Sequence, residues 1–148
     1  MGKSAIPTAV ANLVALIQAD PTITNDNVQV TYGPPAARPE DEFIAVMGVQ
    51  ESQVAAALGR LRRDETFTII LAISVVRGGL DYQNAAERAY QLAGVIEDLL
   101  VANAQNGTLN GAVRVVEIAA LPLELNTKQD GSAVEARIPA QVRCTARI

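Results

Sequence analysis

The chain has 148 residues, 49% of them hydrophobic, and a net charge of −4. That is enough apolar material for the core of one domain, and the charge is not that of a nucleic-acid binder. There is no histidine, no tryptophan and a single cysteine, with three tyrosines and two phenylalanines, so a Ser-His or Cys-His couple and an internal disulfide are excluded, an ordinary zinc site is nearly so, and little remains for aromatic stacking platforms.

Ile6 to Ala19 has Ile6, Val10, Leu13, Val14 and Ile17 at three- and four-residue spacing, which predicts a helix. Ser4 can cap it, Pro7 suits its first turn, and Asp20-Pro21 ends it. The apolar part is too short and too interrupted for a leader peptide or a membrane span, so a soluble protein made inside the cell is expected. Gly2-Lys3-Ser4 resembles the end of a phosphate-binding loop but has neither the earlier glycine nor the preceding strand, and is read as a plain start peptide.

Val28 to Tyr32 alternates as a short strand. "GPPAARPEDE", Gly33 to Glu42, follows as a loop rich in proline and charge. Glu40, Asp41 and Glu42 supply hard oxygens, but three adjacent carboxylates rarely converge on one cation, and a solvated loop is the simpler reading. Phe43 to Val49 is a second strand, with Gly48 at a bulge or bend.

Glu51 to Arg63 fits a short helix interrupted by Gly59 and is taken as an excursion between strands. Arg60, Arg62 and Arg63, followed by Asp64 and Glu65, form either a subunit or phosphate contact or a solvated flank guarding the apolar strand. Thr66 to Val76 is that strand. Both of its faces are fairly apolar, so it belongs at the centre of the sheet, covered on both sides.

Gly78-Gly79 turns the chain into the longest helix, Asp81 to Ala104, capped by Asp81. Alanines at 85, 86, 89 and 93 let it approach a sheet closely. Asn106-Gly107 and Asn110-Gly111 are turn signals. Asn106-Gly107-Thr108 also matches a glycosylation acceptor, and is read as a turn. Ala112 to Leu125 is a strand in which Pro122 marks an edge or bulge. Asp130-Gly131 is the tip of the next turn.

The chain closes on "AVEARIPAQVRCTARI". One alternate set, Val134, Ala136, Ile138, Ala140, Val142, Cys144, Ala146 and Ile148, is apolar throughout. The other carries Glu135, Arg137, Arg143 and Arg147. This predicts a long strand with Cys144 on the buried phase and three arginines on the outer one. Such a terminal hairpin is either a plain surface strand or an interface in an assembly. The expected fold is α+β, in the order α-β-β-β-α-β-β. Its sheet is mainly antiparallel, with two helices packed on it and a long C-terminal hairpin. Candidate interface residues are Glu40, Asp41, Glu42, Arg60, Arg62, Arg63, Arg137, Arg143 and Arg147. No catalytic, cofactor or metal residue is identified, and no enzyme activity is expected.

"RRDETFTIILAISVVRGGLDYQNAAERAYQLAGVIEDLL", Arg62 to Leu100, sets an arginine and acidic pair before a long strand and a glycine turn before an alanine-rich helix. With "NGTLNGAVRVVEIA" after it and "VQVTYGPP" before, this order of elements resembles tail terminator proteins of long-tailed bacteriophages, over nearly the whole chain but without a specific signature. The resemblance implies a virion neck component made in the host cytoplasm. It implies a self-associated ring, a homohexamer, that stops tail-tube polymerisation. Its partners would be the tail tube protein and a head completion or stopper protein. DNA would pass through the ring without specific binding, with no cofactor and no membrane involved. A head-tail stopper, a tail-tube subunit and an unrelated intracellular binding domain are the alternatives.

Overall fold

The computed structural model describes residues 4–33, 41–55, 63–79, 81–104, 115–120, 123–127 and 133–147. Three helices, α1 (Ile6–Gln18), α2 (Pro21–Asn25) and α3 (Tyr82–Ala104), accompany six strands. These are β1 (Gln29–Tyr32), β2 (Glu42–Ala55), β3 (Arg63–Gly78), β4 (Val115–Ala120), β5 (Glu124–Thr127) and β6 (Ala133–Arg147). The strands form one sheet in the order β1-β2-β3-β6-β4, with β5 also paired to β6. The expected α+β class and mainly antiparallel sheet are what the fold shows.

Alternation sets the sheet's inner face. Val134, Ala136, Ile138, Ala140, Val142, Cys144 and Ala146 are all buried, as are Phe67, Ile69, Leu71, Ile73 and Val75 on β3. Both sets stand in register against each other. The stripes of α1 (Ala9, Val10, Leu13, Val14, Ile17) and α3 (Ala85, Ala89, Leu92, Ile96, Leu100) close the same apolar cluster. β3 is central, between β2 and β6. Its second face is partly covered: Ala72 and Ser74 are buried, Thr68 and Ile70 half-buried and Thr66 exposed.

Four local features depart from the sequence expectation. Asp20 does more than stop α1, because its Oδ1 accepts from the N–H groups of Thr22 (2.9 Å) and Ile23 (3.4 Å) and so starts α2. Ile23 is thereby pinned in the core. β1 pairs with β2 in parallel, Gln29 opposite Phe43 and Tyr32 opposite Val46. The proline-rich link between them is too long to impose a tight antiparallel hairpin. β2 shifts register between Val46 and Gly48 and then continues as strand to Ala55. Glu51–Ala55 is therefore strand and not helix; residues 56–62 lie outside the described set.

The expected strand Ala112 to Leu125 is divided into β4 and β5. β4 pairs with Ala140–Thr145 of β6 and β5 with Val134–Arg137. β5 begins at Glu124, and residues 121 and 122, Pro122 among them, lie outside the described set.

Leu71 is 1% exposed at the middle of the central strand. Leu71→Ala is expected to cost about 2–5 kcal/mol of stability in urea unfolding, with the circular dichroism spectrum of the native state retained.

Candidate functional site

Two polar clusters emerge where the elements meet. At one end of the sheet Glu42 opens β2, Arg77 stands next to the end of β3, Arg88 lies in the second turn of α3, and Asp26 sits in the turn after α2. Arg88 donates through Nε and Nη2 to Glu42 (2.9–3.0 Å), through Nη2 to Asp26 (2.9 Å) and through Nη1 to Gln91 (2.9 Å). Arg77 donates through Nη2 to Glu42, through Nε to Asn84 (2.7 Å) and through Nη1 to the Val76 carbonyl (3.1 Å). The Glu42 carboxylate, 13% exposed, thus receives two guanidinium groups. Burial raises its pKa, but the hydrogen bonds and charges of Arg88 and Arg77 outweigh that and hold it below the usual carboxylate range. The hydrogen bond with Glu42 likewise raises the Arg88 pKa, against the opposing effect of burial.

Around these residues is an open cleft of about 580 Å³ lined by Asp26, Asn27, Asp41, Glu42, Arg77 and Arg88. Two guanidinium groups face Asp26 and Glu42, and every nitrogen of each already donates at least one bond within the chain. The cluster therefore works as an ion-pair lock joining α3 to the ends of β2 and β3 and to the turn after α2. Asp41 adds a main-chain bond, its carbonyl accepting from Val76 N–H at 2.8 Å.

At the far end of β3, Glu65 is fully buried. It accepts from Ser4 Oγ and from Ala5 N–H, both at 2.7 Å, at the start of α1. A carboxylate here satisfies orphan helix donors and meets the positive end of the helix dipole. Ser4 Oγ in turn accepts from Ile6 N–H at 3.2 Å. Glu65 is thus not part of a solvated charged flank.

The predicted interface residues fall in different places. Glu40, Arg60 and Arg62 lie outside the described residues. Glu42 is engaged within the chain. Arg63 begins β3 opposite Ala55, and Arg147 stands opposite Asp64. Arg143 is exposed, between Thr68 and Glu117 in register. Arg137 lies between Ser74 and Glu124. Its Nη2 is 3.8 Å from Glu135, and its buried Nε has no hydrogen-bond partner. Glu135 also accepts from Ser74 Oγ at 2.6 Å. Ten residues separate Arg137 from Arg147, roughly 33 Å along a strand. The three arginines are a ladder along the sheet and do not converge on one ligand.

Sequence reasoning missed Asp26, Arg77, Arg88 and Glu65 as structural partners. Asp26 sits beside the unpredicted α2, and Arg77 and Arg88 flank the glycine turn before α3. Among the described residues no group of three or more histidine, cysteine, aspartate or glutamate side chains is placed to hold a metal. Among the described residues no helix is long and apolar enough to cross a membrane.

No protein-family model matches the chain, and no curated protein does. Among solved structures, a chain from the virion of a native gene transfer agent particle shares the fold, with a TM-score of 0.63 at 11% identity. The match covers 98% of this chain and 100% of that one.

Two outcomes follow from the site. Glu42 has a depressed pKa when folded, so its contribution is present above the unfolded pKa near 4 and is lost as pH falls through the folded value. Glu42→Gln should cost about 1–3 kcal/mol at pH 7, and the gap between the urea curves of the two proteins should narrow below about pH 4. Burial pushes the Cys144 thiol up to about 12, and the residue is 1% exposed. A thiol reagent at pH 8 should label native protein far more slowly than urea-unfolded protein.

Proposed function

We propose that the chain is a structural component of a phage-type virion, acting in its neck as the tail terminator. On this reading it assembles into a closed ring, a hexamer, on the head-proximal end of the tail tube. There it stops tube polymerisation and provides the seat for a head completion or stopper protein, while DNA passes through without specific binding. The observation that carries the reading is the likeness in fold, end to end, to a chain of a gene transfer agent virion. The chemistry supports it. Glu42, Arg77 and Arg88 are bound to one another and Glu65 to the start of α1, and the chain's lack of histidine leaves no ordinary acid-base couple. A net charge of −4 suits a conduit that must not grip DNA.

Arg137, Arg143 and Arg147, with Arg60, Arg62 and Arg63, are proposed contacts with a neighbouring subunit. The carboxylates of Glu40, Asp41 and Glu51 are the matching partners. Glu42 is excluded from this role by its bonds to Arg77 and Arg88. Arginine suits the role because its planar fork can grip a carboxylate with two bonds.

The test is light scattering of the purified protein together with electron micrographs, with and without tail tubes. Closed rings, each capping one tube end, are expected. Open filaments of the protein alone would make it a tube subunit, and a monomer that ignores tubes would remove it from the neck. Changing Arg137, Arg143 and Arg147 together to Gln should leave the circular dichroism unchanged, since a partly exposed ion pair such as Arg137 with Glu135 adds little to stability, and should lower the ring's mass in solution. An intact ring with unchanged salt sensitivity would make those arginines an ordinary solvated face.

A further inference from the structure

The register divides the sheet into two unlike halves. In one half both outer edges are covered, β1 pairing with Phe43–Val46 of β2 and β5 with Val134–Arg137 of β6. In the other half the sheet has four strands, and its rows read straight across. Gly48, Ile70, Gln141 and Ala119 form one row; Gln50, Thr68, Arg143 and Glu117 another; Ser52, Thr66, Thr145 and Val115 a third. Among the described residues, β2 from Gly48 to Ala55 pairs only on its β3 side, and β4 only on its β6 side. Among the described residues, two unpaired edges therefore lie at the same height on opposite sides of one sheet.

An edge strand exposes a row of unpaired N–H and C=O groups, and stable monomers blunt such edges with lysine, proline or added charge. "GVQESQVA" on the β2 edge and "VVEIAA" on β4 hold one glutamate each, with no lysine or proline. The bulge between Val46 and Gly48 marks the point where β1 ends and the bare stretch begins. Exposed Tyr32 and Met47 stand at that junction. A notch of about 250 Å³, lined by Gln50, Glu51, Thr66, Phe67 and Thr68, opens on the same stretch and has room for a neighbour's side chain.

We propose that the β2 edge from Gly48 to Ser52 pairs with the β4 edge of a second copy of this chain, so that the sheets of neighbouring subunits join into one continuous antiparallel sheet. This rests on the ring reading above and specifies its seam. The occupant is a copy because the two edges fit each other. β2 runs antiparallel to β3, β3 to β6 and β6 to β4, so a neighbour's β4 set beside β2 continues the alternation. The faces agree as well. Val49 stands in a row with the buried Ile69 and Val142 and with Ile118, while Gln50 shares a row with Arg143 and Glu117. A joined sheet keeps its apolar rows toward the helices and its polar rows on the other side. The contact is head to tail, a β2 edge against a β4 edge, and such contacts form rings when the rotation closes.

The test uses the full chain with Cys144→Ser as background. Three double variants carry Gln50→Cys together with Val115→Cys, Glu117→Cys or Ala119→Cys. These three positions alternate along β4 and cover the stagger that closing a sheet introduces. Mild oxidation should give a ladder of covalent multimers from at least one double variant and none from the single variants. In parallel, Gln50→Pro and Glu51→Pro remove adjacent N–H groups, of which one points to β3 and the other outward. The outward one should keep the monomer's circular dichroism and lose the ring. Rings that form with no ladder from any pair, and that survive both prolines, overturn the seam and leave the ring standing. Protein that stays monomeric overturns both.

Discussion

The pairing of β6 with β3 is the constraint on which the rest of the structure depends. Every residue of β6 is matched, from Ala133 opposite Gly78 to Arg147 opposite Asp64. The phase of that ladder puts Val134 through Ala146, in alternate steps, under the helices. A slip of one residue would turn Arg137 and Arg143 inward and Ile138 and Val142 outward. The apolar stripes of α1 and α3 have a place to dock only because this register is fixed. The β4–β5 edge and β2 then take their positions from the two sides of the central pair.

Around that pair the polar groups divide the labour. Glu65 ties the first turn of α1 to one end of β3, and Glu42, held by Arg77 and Arg88, ties α3 and the turn after α2 to the other. Each lock joins segments far apart in sequence, so each contributes to how the layers are oriented on one another. Arg143, on the outward-facing row of β6, is exposed. Among the described residues, the half of the sheet near Glu42 has a strand paired on each outer side, and the half near Glu65 has none.

Elements with strong periodicity could be read from the chain. The stripe Val10, Leu13, Val14 and Ile17 gave α1, the alternation of Val134 to Ala146 gave β6 with Cys144 on the buried side, and Asp81 capped α3 as expected, its Oδ1 accepting from Asn84 N–H. Elements set by tertiary context could not. Asp20-Pro21 is both the end of one helix and the start of another, and only the docking of Ile23 in the core decides for the second. "SQVAAALG" has helical composition, yet Ser52–Ala55 are strand because β3 offers them a ladder. The parallel pairing of β1 depends on a link whose length permits either direction. Of the candidate site, the two-faced closing strand was visible. The partners of Glu42 and Glu65 were not, because contacts between residues 46 or 61 positions apart leave no local pattern.

The seam between α3 and the sheet is built from small side chains, with Ala85 and Ala89 on the helix and Ala136 and Ala140 on β6, all at 0% exposure. Such a seam restricts volume rather than chemical identity. A larger residue at one of these positions would lift the helix from the strands or force its neighbours out of their rotamers. The aliphatic residues around the seam can exchange for one another as long as the total volume is kept. The record such a fold leaves in its sequence is a sparse pattern of small positions and alternating apolar ones. Two chains can carry that pattern, superimpose from end to end, and agree in about one residue in nine, as 11% identity amounts to.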